Sequence, residues 1–325
     1  MLNVVRAEMT KLRRPSLSIS TIVAVAFVTG LVTSLLFLLV DSPEGNGERG
    51  VRIGRDVLAL ASGVSLSFSN AAGLLGIVAL CIFAAQTAQE YTYGTLRNLL
   101  VRQPSRMKIL LGKLVSMKLF AIAMVTLSAL LAVSLSYLFA GVKDISTQAW
   151  GTSDARAELL RTFINVLIAT IGYGIFGMIL GLLFRSPISA ISIGVIWNLI
   201  FEGLLSAFVK NIDRYFPGQL VSTVATGGTD RISYQYALFT SYSYLLVGLA
   251  ILARGDGVAG EARRAAAVRH LVAPQEFLSR LNGFFHGVII RRHLRRLVRG
   301  LARRGKVSPQ RARCEDRTDP QGASA

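Results

Sequence analysis

The sequence predicts an all-α integral membrane protein with six transmembrane helices, and three observations predict it. The 325 residues are 52% hydrophobic and only 17% charged, where soluble domains carry about 25% charged residues. Six separate apolar runs reach the roughly 20 helical residues that cross a hydrocarbon core. The bases collect between those runs: 36 Lys and Arg stand against 18 Asp and Glu, a net charge of +18, despite a mean hydropathy of +0.50. A surplus of that kind points to membrane orientation before nucleic acid.

The chain opens on a short amphipathic stretch. Val5, Met9 and Leu12 recur at helical spacing on one face, with Arg6, Thr10, Lys11, Arg13 and Arg14 around the rest. Such a helix lies along the membrane surface with its charges toward headgroups, Arg13 and Arg14 included, and turns at Pro15 into the first span. This is an elbow helix. The first run, Ser18 to Val40, is longer than the h-region of a secretory signal and lacks a small-residue cleavage site before Asp41, so it is expected to remain as a span.

The remaining spans run from about Leu66 to Ala85, Leu119 to Ala140, Phe163 to Phe184, Ile188 to Val209 and Tyr236 to Ala253. The last is short and rich in Tyr and Ser, so five spans with an interfacial sixth segment is the alternative. With the N-terminus in the cytoplasm, the inner segments hold 27 bases and the outer loops nine, and the outer nine are matched by nine acids. The asymmetry predicts both termini inside a multi-pass cell-membrane protein. Residues 1–253 read as one helical membrane domain and 254–325 as a basic cytoplasmic tail.

The inner loop after the second span carries the most specific pattern. Gln89-Glu90-Tyr91-Thr92-Tyr93-Gly94-Thr95-Leu96-Arg97-Asn98-Leu99-Leu100 opens on a carboxylate placed to pair with Arg97 or with a partner's cation. Gly94-Thr95 offers a turn and a cap, and Leu96, Leu99 and Leu100 then make a short apolar stripe. Pro104 breaks the chain, and Ser105 can cap a second amphipathic helix through Ile109, Leu110 and Lys113. Two short surface helices suit the docking of another protein.

The fourth span holds Gly172, Gly174, Gly177 and Gly181, a small face for the bundle core or for a seam with a second chain. In the fifth span, Ala190, Gly194, Asn198, Glu202 and Ser206 recur every four residues, so Glu202 should face protein rather than lipid. It then either lines a path or braces neighbouring helices. In the tail, Phe277, Leu281, Phe284, Val288, Leu294, Leu297 and Leu301 form an apolar face, with Arg291, Arg292, Arg295 and Arg296 among the bases beside it. An amphipathic helix on the anionic inner leaflet, followed by disordered chain, is the reading, and no nucleic-acid recognition module is present.

No catalytic constellation is found. Two cysteines, Cys81 and Cys314, and three dispersed histidines offer no disulfide framework or metal site.

The run E-Y-T-Y-G-T-L-R-N-L-L from Glu90, the R-x-x-x-L-x-x-K from Arg106 to Lys113, and G-L-L-F-R-S-P-I-S-A-I from Gly181 resemble permease subunits of type-2 ATP-binding-cassette exporters. The resemblance covers roughly residues 1 to 253. It implies that the loop supplies a cytoplasmic coupling helix seated in a cytosolic ATPase subunit, with Glu90, Tyr93, Gly94, Thr95, Leu96 and Arg97 transmitting the ATPase movement. It also implies a second permease chain, identical or similar, enclosing one translocation path. The chain has no G-x-x-x-x-G-K-[ST] phosphate loop, so no cofactor is expected in it, and ATP and Mg would be bound by the partner. The rival reading is a membrane anchoring or signalling protein that uses its tail to organise partners and transports nothing. An ion-coupled transporter is the third, disfavoured by the single intramembrane acid and the absence of a repeat.

Overall fold

The structure, a computed structural model, describes residues 2–40, 54–95, 106–208 and 212–255. Among them the chain is helical throughout, with no strand. The chain divides into two units, Met1–Asp256 and Gly257–Ala325, and the second lies outside the described residues, together with Arg291, Arg292, Arg295 and Arg296.

The elements are α1 (Leu2–Leu12), α2 (Pro15–Leu39), α3 (Arg55–Ala59), α4 (Gly63–Thr92), α5 (Arg106–Val142) and α6 (Ser153–Phe184). Then follow α7 (Pro187–Val195), π-helical turns over Ile196–Glu202, α8 (Gly203–Phe208), α9 (Pro217–Ala225) and α10 (Tyr234–Gly255). Among the described residues, six helices are long and apolar enough to cross a membrane: α2, α4, α5, α6, the run Pro187–Ser206, and the part of α10 from Tyr234 to Leu252. Their outward residues are large and apolar, as at Ile19, Val23 and Phe27 of α2, which suits lipid contact.

Two boundaries differ from the sequence reading. Helix α4 continues through Glu90 to Thr92, so Glu90 lies within the helix rather than past its end. Helix α5 runs unbroken for 37 residues, so the stretch expected as a separate amphipathic helix is the first part of the third span. Nothing after Arg106 breaks the helix, because Gly112 costs only about 1 kcal/mol and no proline follows within it.

The tightest packing is α4 against α6. A Cβ at Gly177 would overlap the Leu80 carbonyl, and one at Gly181 would press on the Ala84 carbonyl at 2.8 Å. Gly174 leaves room for the Phe83 ring, and on α4 Gly76 does the same for Tyr173. Small residues let two helix backbones approach where no hydrophobic drive separates lipid from side chain. The glycine face of the fourth span is therefore spent inside this chain. Hydroxyl pairs join the other helices: Thr29 with Ser128 at 2.8 Å between α2 and α5, and Ser67 with Ser136 at 2.9 Å between α4 and α5.

At the end away from α1, Trp150 donates its indole N–H to the Leu58 carbonyl at 2.9 Å and tops a cluster of Phe37, Leu58, Ile145 and Ala155. Helix α9 was not foreseen in the sequence reading, which left residues 210–235 as an outer loop. Tyr173 donates to the Gly218 carbonyl at 3.1 Å, Val221 rests on Gly172, and Leu220 and Val224 pack with Ile168. Helix α9 thus starts beside Tyr173, midway along the apolar part of α6, and leads to a turn whose Gly227 sits beside Asn165. It re-enters the bundle without crossing it, which irregular backbone can do only when protein covers it.

Candidate functional site

Helix α1 buries a face different from the expected one. Val4, Glu8 and Leu12, four residues apart, are buried, while Val5 and Met9 are half-buried. The rotation follows from α5: Val4 seats against Gly112, where a Cβ would collide with its side chain, and Ser116 donates to the Val5 carbonyl at 3.2 Å. Arg6, Arg13 and Arg14 remain exposed. Lys11 instead turns inward.

That rotation brings four charged groups together. Lys11 Nζ lies 2.5 Å from Glu8 Oε1 and 3.0 Å from Glu90 Oε1. Lys113 Nζ lies 2.8 Å from Glu8 Oε2 and 2.8 Å from Glu90 Oε1. Glu8, Glu90 and Lys113 are 5%, 6% and 3% exposed. Each carboxylate meets both ammonium groups, so the cluster is neutral and every charge is compensated. Burial of a single charge would cost several kcal/mol, and only close pairing offsets it. The ring joins α1, the end of α4 and the start of α5.

Burial by itself would raise the Glu8 carboxyl, but the charge of Lys113 and the hydrogen bonds from Lys11 and Lys113 hold it below the ordinary glutamate value. Burial likewise works to lower the Lys11 ammonium, and the hydrogen bond to Glu8 with the charge of Glu90 outweighs it, raising it above the ordinary lysine value.

The sequence reading paired Glu90 with Arg97 or a partner's cation. Among the described residues its cations are Lys11 and Lys113 of its own chain, because α1 folds back onto α5, and Arg97 lies outside those residues. Past Glu90, Tyr93 is 73% exposed and Gly94 takes a left-handed φ of 65° that ends the helix. Thr95, itself helical after the turn at Tyr93 and Gly94, donates to the Glu90 carbonyl at 3.5 Å. Leu96 and Arg97 lie outside the described residues. The neighbouring connection is bound to the same end: Arg185, with a left-handed φ of 53°, stacks its guanidinium over Tyr91 at 5.3 Å and accepts from Thr92 at 3.4 Å.

Glu202 forms a second, separate site. Its side chain is fully buried and accepts from Trp197 Nε1 at 2.7 Å, Gly218 N at 3.1 Å and Gln219 N at 2.8 Å. The two backbone donors are unpaired first-turn groups of α9, where the helix dipole favours a carboxylate. A Cβ at Gly218 would overlap both Glu202 and the Asn198 amide, so glycine alone fits. The period-four stripe faces the rest of the protein: Ala190, Gly194 and Glu202 are buried and Asn198 and Ser206 half-buried, while Ile196, Leu199, Ile200 and Leu204 are exposed. Gly194 is buried against Leu80 and Leu180, Asn198 is half-buried, and Ser206 donates to the Glu202 carbonyl of its own helix at 2.6 Å. The turns over Ile196–Glu202 that carry Asn198 and Glu202 are π-helical.

Residues 52–256 match the DUF2705 family, described as proteins of unknown function. The chain belongs to that family. No curated protein matches it. The segment shared with the DUF2705 family contains Glu90, Lys113 and Glu202, and it begins after α1 and α2, so Glu8 and Lys11 reach into it from outside.

Glu8 was missed by the sequence reading and Lys113 was noted only within a pattern. Glu8 carried a signal, being the acid spaced four residues from both Val4 and Leu12. Lys113→Met leaves two buried carboxylates with one cation and should lower stability by about 3–5 kcal/mol in thermal unfolding. In wild type, the Glu8 contribution is present above its unfolded pKa and fades as pH falls through its depressed folded one. The Lys11 contribution is full below the ordinary lysine value and fades as pH rises through the raised one. The melting temperature should therefore fall at both extremes, below the glutamate range and above the lysine range, with the acid limb lost in Glu8→Gln. Glu202→Gln turns an amide N–H₂ toward backbone donors and should cost about 1–3 kcal/mol, read by the same melt.

Proposed function

We propose that the chain is the membrane-embedded permease subunit of an ATP-driven exporter of the type-2 ATP-binding-cassette kind. It pairs with a second six-span chain around a translocation path and with cytosolic ATPase subunits that bind ATP and Mg. The observation that carries this reading is the charge cluster. The ends of α4 and α5 that flank residues 96–105 are held to each other and to α1 by Glu8, Lys11, Glu90 and Lys113. A push on that loop therefore passes to two spans and to α1 together instead of bending one helix end. In this reading α1 is the elbow, the loop bears the coupling helix, and the cluster lies on the cytoplasmic side with both termini, as the distribution of bases favours.

Tyr93, Gly94 and Thr95 form the exposed start of the coupling segment, and Leu96 and Arg97 continue it. Glu90 acts one step behind, as the fixed post against which the segment moves. Glu202 acts as a brace: its two backbone donors, Gly218 and Gln219, tie the fifth span to the start of α9, so that span and the re-entrant helix shift together. Alternating access would arise as a rigid-body change between two arrangements of paired halves.

The test is co-purification with a cassette ATPase encoded in a neighbouring reading frame. The chain should retain that ATPase through purification, and Arg97→Ala should weaken retention several-fold while leaving the melting temperature unchanged. Failure to retain such an ATPase, or wild-type retention by Arg97→Ala, would count against the coupling assignment and favour a non-transporting anchor.

A further inference from the structure

The fifth span changes helix type midway along its length, and one hydrogen bond depends on the change. Pro187–Val195 is α-helical, Ile196–Glu202 is π-helical, and Gly203–Phe208 is α-helical again. Within the π-helical turns Trp197 donates its indole N–H to Glu202 Oε1 at 2.7 Å, a contact between residues five apart. In an α-helix each residue turns by about 100°, so residues five apart lie about 140° from each other around the axis and their side chains diverge. The i→i+5 hydrogen bonding of a π-helix brings them over one another. The Trp197–Glu202 bond therefore belongs to the π-helical register alone.

The same carboxylate is held from across the bundle, Gly218 N donating to Oε1 and Gln219 N to Oε2. Trp197 also packs edge-on against Phe216, just ahead of those donors, with ring centroids 6.2 Å apart. The two halves of the span are anchored unequally. On the α7 side Gly194 is seated so closely that a Cβ would collide with Leu80 and Leu180, whereas past Glu202 the side chains of Leu204 and Phe208 are 55% and 80% exposed. A π-helical turn closes its hydrogen bonds over one more residue than an α-helical turn. Its conversion to α-helix would turn everything beyond it by about 100°, and α8, the loosely held half, is the part free to turn.

We propose that the Trp197–Glu202 bond is a register lock. With the bond made, the fifth span stays π-helical and Glu202 stays on the first turn of α9. With it broken, Ile196–Glu202 returns to the commoner α-helical form, Glu202 swings off Gly218 and Gln219, and α8 turns about the axis of the span while α7 keeps its place. Trp197 is thus a positioning residue for Glu202, and the half of the span beyond it has two discrete settings. The lock is a property of this chain alone and requires neither a second chain nor transport.

Nitroxide labels placed one at a time at positions 203–208 of the full chain in bilayers, with Cys81 and Cys314 changed to Ser, read the lock through their collisions with oxygen dissolved in lipid. The otherwise wild-type chain should show maxima at Leu204 and Phe208. Trp197→Phe keeps a ring beside Phe201 and Phe216 but has no donor; it should lower both maxima several-fold and move them one residue toward the N-terminus. Deleting Leu199, which is 51% exposed, from that variant takes out one residue's turn and should restore the original pattern, which a general loosening of the span would not do. Gly218→Ala, whose Cβ would displace the Glu202 carboxylate from the α9 side, should give the same shift and keeps the test decisive if Trp197→Phe does not fold. An unshifted pattern in either variant, or a shift that deletion of Leu199 fails to reverse, would overturn the proposal.

Discussion

A ring of two glutamates and two lysines, buried where α1 meets the ends of α4 and α5, is the constraint on which the account turns. Buried ions are stable only when each finds its opposite, and here the pairing crosses all three elements. Helix α1 supplies one acid and one base, α4 supplies an acid, and α5 supplies a base. Helices α4 and α5 each bring an unbalanced charge, and each carboxylate has its second ammonium on another element. That requirement fixes the rotation of α1, with Glu8 inward and Arg6 outward, and it sets the relative height of α4 and α5 at this end. Glycine packing does the corresponding work inside the bundle, where Gly177 and Gly181 bring α6 onto the carbonyls of Leu80 and Ala84.

The two ends and the middle of the bundle solve the same problem with different chemistry. At the α1 end, ions pair. At the far end, an indole N–H satisfies the Leu58 carbonyl. Midway, Glu202 satisfies the first backbone donors of α9, which would otherwise face an apolar interior. A carboxylate deep in a span is costly in lipid, and its position against a helix start supplies the compensating donors. The fifth span, interrupted by π-helical turns at that point, holds a re-entrant helix in place.

The six spans were legible because apolar runs of sufficient length leave few alternatives, and the polar face of the fifth span was legible because small and polar residues recur every four positions. What stayed hidden depended on neighbours in space. Helix α9 carries Leu220, Val221 and Val224 in a segment too short to read as a span, and only its fit against Gly172 and Ile168 makes it an interior element. The burial of Glu8 and Lys113 was hidden for the same reason. Each looks like an ordinary membrane-flanking charge until the partner 105 positions away is brought to 2.8 Å. Glu90 was found through its place in a motif, and its pairing with Lys11 and Lys113 was not, since one of them comes from α1.

The most direct test of the central claim is a charge-exchange cycle on Glu90 and Lys113 in bilayer-reconstituted chain, read by thermal unfolding. Glu90→Lys alone places three cations against one acid, and Lys113→Glu alone places three acids against one cation, so each should destabilise strongly. The double exchange restores two of each. The account predicts that the double variant is more stable than either single one, with a coupling within or above the range of about 0.5–3 kcal/mol seen for residues in contact. A double variant whose loss equals the sum of the two single losses would show that the cluster does not fasten these helices, and would contradict the account.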